Sequence, residues 1–346
     1  MKILFDMVHP ADAHFFKNCI RALRARGDDV LITSRQKDIT VQLLDVLGLE
    51  HVTITNKGSG LVGLFVELLK RDCALIKIAT AFQPDICVTN NSPCGVHAAR
   101  LLRRPSLTFD DTEIHTFNRY LYYPFVTEVH SPRCYRFRIG RKHKFYPGYH
   151  ALAYLHPNHF KADPDVLRAA GLNPAEPMAL IRFVEWGAMH DLGKTRLAFE
   201  QKRRIVEFLR PRLNVLISSE SALPEEFEQF RLRLPIQHVH HLLAHVRFII
   251  GESASMSSEA TVLGTPAVYF DVLGRGYTDE QEQKYGLCFN FHPKNVDAMF
   301  AKLQELVALE HPRAAFAQAH ARLLSDNIDV SAYQLQQIDR LAAARY

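Results

Sequence analysis

RFIIGESASMSSEATVLGTPAVYFD, residues 247–271, is the stretch whose reading decides the fold. Arg247–Ile250 reads as a buried strand that ends at Gly251. Small and polar residues follow, Val262 and Leu263 anchor a helix, and Gly264-Thr-Pro266 stops it ahead of a second apolar run, Ala267–Phe270. A strand that feeds directly into a helix and out to another strand is a parallel unit. The helix start presents unpaired backbone N–H groups and the positive end of a dipole, which together favour an anion. Small residues there (Ser253, Ala254, Ser255) let a diphosphate approach the backbone, Met256 belongs to the same nucleotide-sugar-binding turn, and Ser253, Ser255 and Ser258 add hydroxyl donors. Glu259, one turn in, suits ribose hydroxyls rather than phosphate. The same pattern also fits a plainly capped helix with Glu259 as a first-turn dipole partner.

The rhythm extends outward on both sides. Toward the N-terminus, strands are expected at Lys2–Met7, Asp29–Thr33, His51–Thr55, Asp85–Thr89, Ser106–Phe109 and Phe125–His130, with amphipathic helices between them. Pro147, Gly148, Pro157, Pro164, Gly171, Pro174 and Pro177 then read as a connection between domains. A second series follows at Ala179–Val184, Asn214–Ser218, Arg247–Ile250 and Pro266–Asp271. The expectation is an α/β protein of two Rossmann-like parallel-sheet domains facing each other across a cleft. Residues 1–165 form the acceptor and catalytic domain, 166–330 the nucleotide-sugar domain, and 331–346 a terminal helix that packs back on the first. Ligands in such folds sit at the carboxyl ends of the strands.

Bulk properties narrow the classes. At 346 residues the chain is too long for one ordinary core. A net charge of +5 is too modest for a nucleic-acid binder, so none is expected. The six cysteines are scattered without a CxxC pair, which argues against a disulfide framework or a Cys-rich zinc site. MKILFDMV reads as a strand and not a signal peptide, and Leu61–Ile78 is interrupted by charges, so a cytoplasmic protein without a membrane span is expected.

Several loops after strands carry chemistry. His9, Asp12 and His14 open the first helix as candidates for acceptor binding or general-base duty, with a helix cap beside a structural histidine as the rival reading. Asn90, Asn91 and Ser92 suit sugar hydroxyls. Asp110, Asp111 and Glu113 crowd one loop, where carboxylates raise one another's pKa and serve proton transfer; a solvated turn is the alternative. Arg182 is placed to clamp a phosphate, Trp186 to stack and His190, beside Asp191, to position a leaving group. His238, His240, His241 and His245 lack a carboxylate at ligand spacing, so no metal is expected. Arg133–Lys144, with six Lys or Arg interleaved with Tyr135, Phe137 and Ile139, reads as a solvated basic face or a contact with an acidic acceptor or with anionic lipid at the inner face of a membrane.

Gly251–Pro266 resembles the diphosphate-ribose signature of the GT-B superfamily, which includes non-hydrolysing UDP-GlcNAc 2-epimerases and the glycosyltransferase that makes lipid II. RFVEWGAMHD (182–191), ISSESALP (217–224) and HHLLA (240–244) are similar to the GT-B-like family known as domain of unknown function 354, and the resemblance runs over nearly the whole chain. It implies a GT-B-like fold and a nucleotide-diphosphate sugar, a UDP-sugar above all, with no cofactor. By this resemblance Ser253, Ala254 and Ser255 match the epimerases' phosphate-cradling Ser-Gly-Gly and Glu259 their ribose-binding Glu. It also adds Ser219 and Glu220 to the nucleotide-sugar site and sets the backbone near His240 and His241 against the base. The Asp110–Glu113 loop resembles the epimerase segment with a catalytic Glu, and Asn118-Arg119 an Asn-Arg pair beyond it. The paired acidic residues before that pair are His115 and Thr116 here, and Asn90 stands near an epimerase Asp. The first expectation is therefore a metal-independent glycosyltransferase of cell-surface glycan or polysaccharide biosynthesis with a glycan or lipid-linked acceptor. A 2-epimerase or hydrolase in the same cleft is the second, and a non-catalytic nucleotide-sugar or glycan binder in an assembly complex is the third.

Overall fold

The structure is a computed structural model that describes residues 1–36, 39–56, 60–114, 116–183, 197–219 and 222–344. Contacts divide the chain into two compact units: Met1–His159 together with Asn327–Tyr346, and Phe160–Asp326.

The first unit runs β1 (Lys2–Met7), α1 (Pro10–Ala25), β2 (Asp29–Gln36), α2 (Thr40–Val46), β3 (Val52–Asn56), α3 (Gly60–Phe82), β4 (Ile86–Asn90), α4 (Pro93–Leu101), β5 (Ser106–Phe109), α5 (Thr116–Tyr122), β6 (Glu128–Pro132), β7 (His143–Tyr146) and the short α6 (Leu152–Leu155). Its strands are all parallel, in the order β3-β2-β1-β4-β5-β6-β7. Helices cover both faces, so central strands are apolar throughout: Ile3, Leu4, Phe5 and Met7 of β1 are fully buried. Asp6 is the exception. Its carboxylate accepts hydrogen bonds from Thr33 Oγ1 (2.9 Å), Ser92 Oγ (2.6 Å) and Arg71, and those donors make a buried charge tolerable.

The second unit runs α7 (Pro164–Ala169), β8 (Met178–Arg182), α8 (Phe199–Leu209), β9 (Asn214–Ser218), α9 (Val239–Leu243), β10 (Phe248–Gly251), α10 (Ala254–Val262), β11 (Ala267–Phe270), α11 (Gly276–Gln283), β12 (Cys288–Phe291), α12 (Val296–Ala308) and α13 (Pro312–Asp326). Its sheet is also parallel, in the order β12-β11-β10-β8-β9. Alternate residues of β8 and β10 feed separate cores on the two faces. Ile181, Phe248 and Ile250 pack with Ile205 and Leu303, whereas Leu180 and Ile249 pack with Leu242 and Ala267. Both sheets are of the doubly wound Rossmann-like kind.

β7 and β12 are strands that the sequence pattern did not single out. Each closes one edge of its sheet, where a strand has one partner and one exposed flank, so neither is the continuous apolar run that marks a central strand. β7 takes up the end of the basic segment, and that segment packs on α5: the Arg119 guanidinium lies over the Phe137 ring at 4.5 Å. β6 starts at Glu128, three residues later than the apolar run at Phe125 suggests.

After α13 the chain returns to the first unit as α14 (Val330–Ala343), capped by Asp329 accepting from Ala332 N. Gln334 Nε2 donates to the Phe15 carbonyl (3.1 Å), and the Tyr333 hydroxyl meets His130 Nδ1 (2.7 Å). His130 Nε2 lies 2.9 Å from Glu128, which also pairs with Arg340. No helix among the described residues is long and apolar enough to cross a membrane.

Burial opposes the Glu128 charge, but hydrogen bonds from His130 and Arg340 overcome it and pull the carboxyl down to about 2. A depressed carboxyl stabilises the fold above its unfolded pKa, about 4.3, and loses that contribution as pH falls toward the folded value. Urea denaturation should therefore show Glu128→Gln less stable than wild type near neutral pH, with the gap narrowing below about pH 4. A gap that stays constant with pH would show that the ion pair contributes nothing to docking α14.

Candidate functional site

In the second unit the strand order reverses between β8 and β10, and ligands of doubly wound sheets bind in the crevice at such a reversal. Arg182, Ser218 and Gly251 stand side by side in register at the carboxyl ends of β8, β9 and β10. The β8–β10 approach is tight: a Cβ on residue 251 would lie 2.0 Å from the Arg182 carbonyl oxygen, so only glycine fits. Immediately beyond, Glu252 N donates to that carbonyl (2.9 Å) and the chain turns into α10.

Ser253 caps α10, its hydroxyl accepting from Met256 N at 3.4 Å. Ala254 and Ser255 open the helix, and their N–H groups have no carbonyl ahead of them within it. Ser255 is exposed, and Ser253, Ala254 and Met256 are half-buried. Arg182 is half-buried at the neighbouring strand end, with Nη1 3.3 Å from Ser218 Oγ. One guanidinium and a helix N-terminus thus stand on adjacent strand ends, an arrangement suited to a multiply charged anion.

Other residues of this loop turn inward. Ser258, expected as a phosphate donor, is buried and accepts from Gln281 Nε2 of α11 (2.8 Å). Glu259 is largely buried, with Oε1 3.4 Å from His240 Nε2, which fixes the carboxylate and places His240 beside it. His241 Nδ1 accepts from Asp163 N (3.0 Å), and its ring lies 5.0 Å from Phe160. Burial, followed by the neighbouring histidines, holds the His241 pKa low, so this ring is neutral at physiological pH. Ser219 follows β9 on the next loop. Glu220, Trp186, His190 and Asp191 lie outside the described residues, as does His115.

Sequence patterning missed several groups here. Lys202 of α8 is buried, 3.6 Å from Glu252 and beneath the Phe183 ring. Arg275, at the start of α11, is held by Asp271 at 2.7 Å. Lys202 carries no local signal, because its partner Glu252 comes from a different loop, whereas Arg275 stands four residues after Asp271, a local spacing that was not singled out.

The first unit reverses its strand order between β1 and β4. His9 caps α1, and Asp12 completes a reciprocal cap by accepting from Val8 N (2.8 Å) and His9 N (2.9 Å). Asn90 Nδ2 donates to the other Asp12 oxygen (2.8 Å), tying the end of β4 to the start of α1. Burial raises the Asp12 pKa to about 6 against these hydrogen bonds. Asp12 and Asn90 are thus occupied in shaping the crevice, and Ser92 is occupied by Asp6. His14 is buried, stacked on Tyr154 at 5.3 Å. Asn91 has φ +51°, a left-handed conformation that Asn tolerates better than most residues.

The three carboxylates after β5 do not form the crowded proton-transfer cluster their spacing suggests. Asp110 is fully buried and accepts from Thr112 N (3.0 Å), Tyr122 OH (2.9 Å), Tyr135 OH (3.1 Å) and Arg119 Nε (3.4 Å). Burial raises its pKa to about 6; the Asp111 charge contributes least of the causes. It organises the loop. Glu113 is also buried, and Arg119 Nη2 donates to its carbonyl at 2.6 Å. Asp111 is the partly exposed member, 3.2 Å from His150 Nδ1. Burial lowers the His150 pKa, and its ring stacks on Phe15 at 4.0 Å, so Asp111 faces a fixed neutral imidazole that no sequence motif announced.

Comparison with solved structures places this architecture. UDP-GlcNAc 2-epimerase from Methanocaldococcus jannaschii matches at TM-score 0.68 and 12% identity, covering 98% of this chain and 99% of the other. The enzyme of that name from Neisseria meningitidis, bound to UDP-GlcNAc, matches at 0.68 and 12%, covering 98% and 100%. The glycosyltransferase VinC in complex with dTDP matches at 0.64 and 14%, covering 99% and 100%. At these identities the likeness establishes the fold, which is GT-B-like. No curated protein sequence matches significantly. Residues 1–272 match the family described as "Protein of unknown function (DUF354)", and the chain belongs to that family.

Proposed function

We propose that the protein is a glycosyltransferase that takes its sugar from a nucleoside diphosphate, most directly a UDP-sugar. The observation that carries this reading is the pairing of Arg182 with the open first turn of α10 at the β8/β10 reversal. A glycosyl donor leaves its diphosphate with extra negative charge, and fixed N–H dipoles with a neighbouring guanidinium stabilise that charge without reorganising. Glu259, fixed beside His240, faces the ribose hydroxyls, and the second unit is the donor domain. The ligands named for similar folds, UDP-GlcNAc and dTDP, belong to the same chemical class.

The first unit presents the acceptor at the β1/β4 reversal. Asp111, the partly exposed carboxylate of its loop, is the general base that removes the acceptor proton, and His150 positions it. The fold matches the 2-epimerases at a TM-score of 0.68, above the 0.64 for VinC, which favours a second reading: rearrangement of the nucleotide-sugar with no acceptor present. Asp111 serves either reaction as a proton carrier.

A thermal-shift panel of UDP-, dTDP-, GDP- and CMP-sugars tests the donor site. One nucleotide family should stabilise the protein, and Glu259→Gln should weaken its binding about ten-fold, roughly 1.4 kcal/mol. Equal shifts for both proteins would remove Glu259 from the site. Nucleotide release, measured with and without added acceptors, tests the chemistry. Asp111→Asn should slow turnover by roughly 10²–10⁴-fold while leaving the nucleotide-induced shift in place. Turnover unchanged by the substitution would exclude Asp111 as the base.

A further inference from the structure

The first unit holds a cavity of about 500 Å³ beside the β1/β4 reversal, bounded at its inner end by Val8, Asn91 and Ser92. That volume falls inside the roughly 300–1,000 Å³ of small-molecule sites. One wall is apolar, built from Leu64, Phe65 and Leu68 of α3 and Phe117 and Leu121 of α5. Phe65 is 61% and Phe117 70% exposed. Large aromatics left open along the wall of one cavity mark a binding surface more than scattered surface residues do.

The inner end is polar and incompletely satisfied. Arg71 is buried and gives Nη2 to Asp6, while its Nε and Nη1 have no hydrogen-bond partner among the described residues. Asn91 Oδ1 is also buried without one, on a residue held in the left-handed conformation. Buried donors and acceptors are rarely left orphaned, and both of these residues line the same cavity. The lining charges are already balanced: Arg71 pairs with Asp6, and Arg35 pairs with Glu67 through Nε–Oε1 (2.6 Å) and a second contact. An added anion or cation would go uncompensated. A hydroxyl fits, because it accepts from a guanidinium and donates to an amide oxygen.

We propose that this cavity is the acceptor subsite, and that the acceptor is an amphiphilic alcohol. A single aliphatic chain lies along Leu64, Phe65 and Phe117, and an uncharged hydroxylated head meets Arg71 and Asn91. The assignment rests on the transferase reading above for the word acceptor, and on the cavity alone for the ligand chemistry.

Octyl glucoside below its micelle-forming concentration is a suitable probe, with binding to the full chain followed by calorimetry. Saturable binding is expected. Octyl phosphate, with the same chain and a charged head, should bind about ten-fold more weakly, and glucose should not bind measurably. Phe65→Ser with Phe117→Ser, both at exposed positions, should weaken octyl glucoside about ten-fold or more. Asn91→Gly accepts the left-handed backbone, deletes the amide oxygen, and should erase the preference for the glucoside head. No saturable binding, equal binding of octyl phosphate, or indifference to the two Phe substitutions would each overturn the proposal. The UDP-sugar thermal shift on wild-type protein, run in parallel, keeps the two readings apart. Glucoside binding without a nucleotide shift would sink the transferase reading and leave the amphiphile site standing. A nucleotide shift without glucoside binding would do the reverse.

Discussion

The carbonyl oxygen of Arg182 lies where a side chain on residue 251 would have to go. With glycine there, β10 closes on β8, Glu252 N takes the Arg182 carbonyl, and the chain is free to turn at once into α10. The open first turn of the helix is thereby set on the strand end next to Arg182. Any longer loop would carry the helix start away from the reversal in strand order, and the anion-binding dipole would lose its cationic neighbour. The remainder of the second unit serves this arrangement. Two apolar cores clamp the strands from either face, Gln281 anchors Ser258 from α11, and His240 fixes Glu259.

The first unit solves the corresponding problem with charge instead of close approach. Its reversal lies between β1 and β4, and the loops there are locked by buried carboxylates. Asp6 gathers Thr33, Arg71 and Ser92, while Asp12 joins the start of α1 to Asn90. Asp110 does the same for the next loop through Tyr122 and Tyr135. Three buried acids thus build a frame, and the partly exposed Asp111, with His150 beside it, is left for chemistry.

Much of the fold was legible because parallel strands buried on both faces must be apolar along their length, and such runs stand out between helices. The central strands β1, β4, β5, β8 and β10 fall within a residue or two of where those runs lie. The edge strands β7 (HKFY) and β12 (CFNF) did not stand out, since each is only four residues long with polar residues among its apolar ones. The helix start at Ser253 was legible because small residues between a strand and a helix have few other uses. The role of Asp110 was not, because burial depends on tyrosines 12 and 25 residues away that no local spacing reveals. His150 and Lys202 were invisible for the same reason: each acquires its place only when separate loops and helices meet.

The central claim is that backbone N–H groups at the first turn of α10 hold a diphosphate. Ala254→Pro tests it directly. Ala254 is the first helical residue, Ser253 before it is extended (φ −98°, ψ 103°), and proline is accepted at that position while removing its N–H. Calorimetric titration of uridine diphosphate into wild type and Ala254→Pro should show binding weakened about ten-fold with an unchanged unfolding temperature. Identical affinities would place the diphosphate elsewhere and contradict the account.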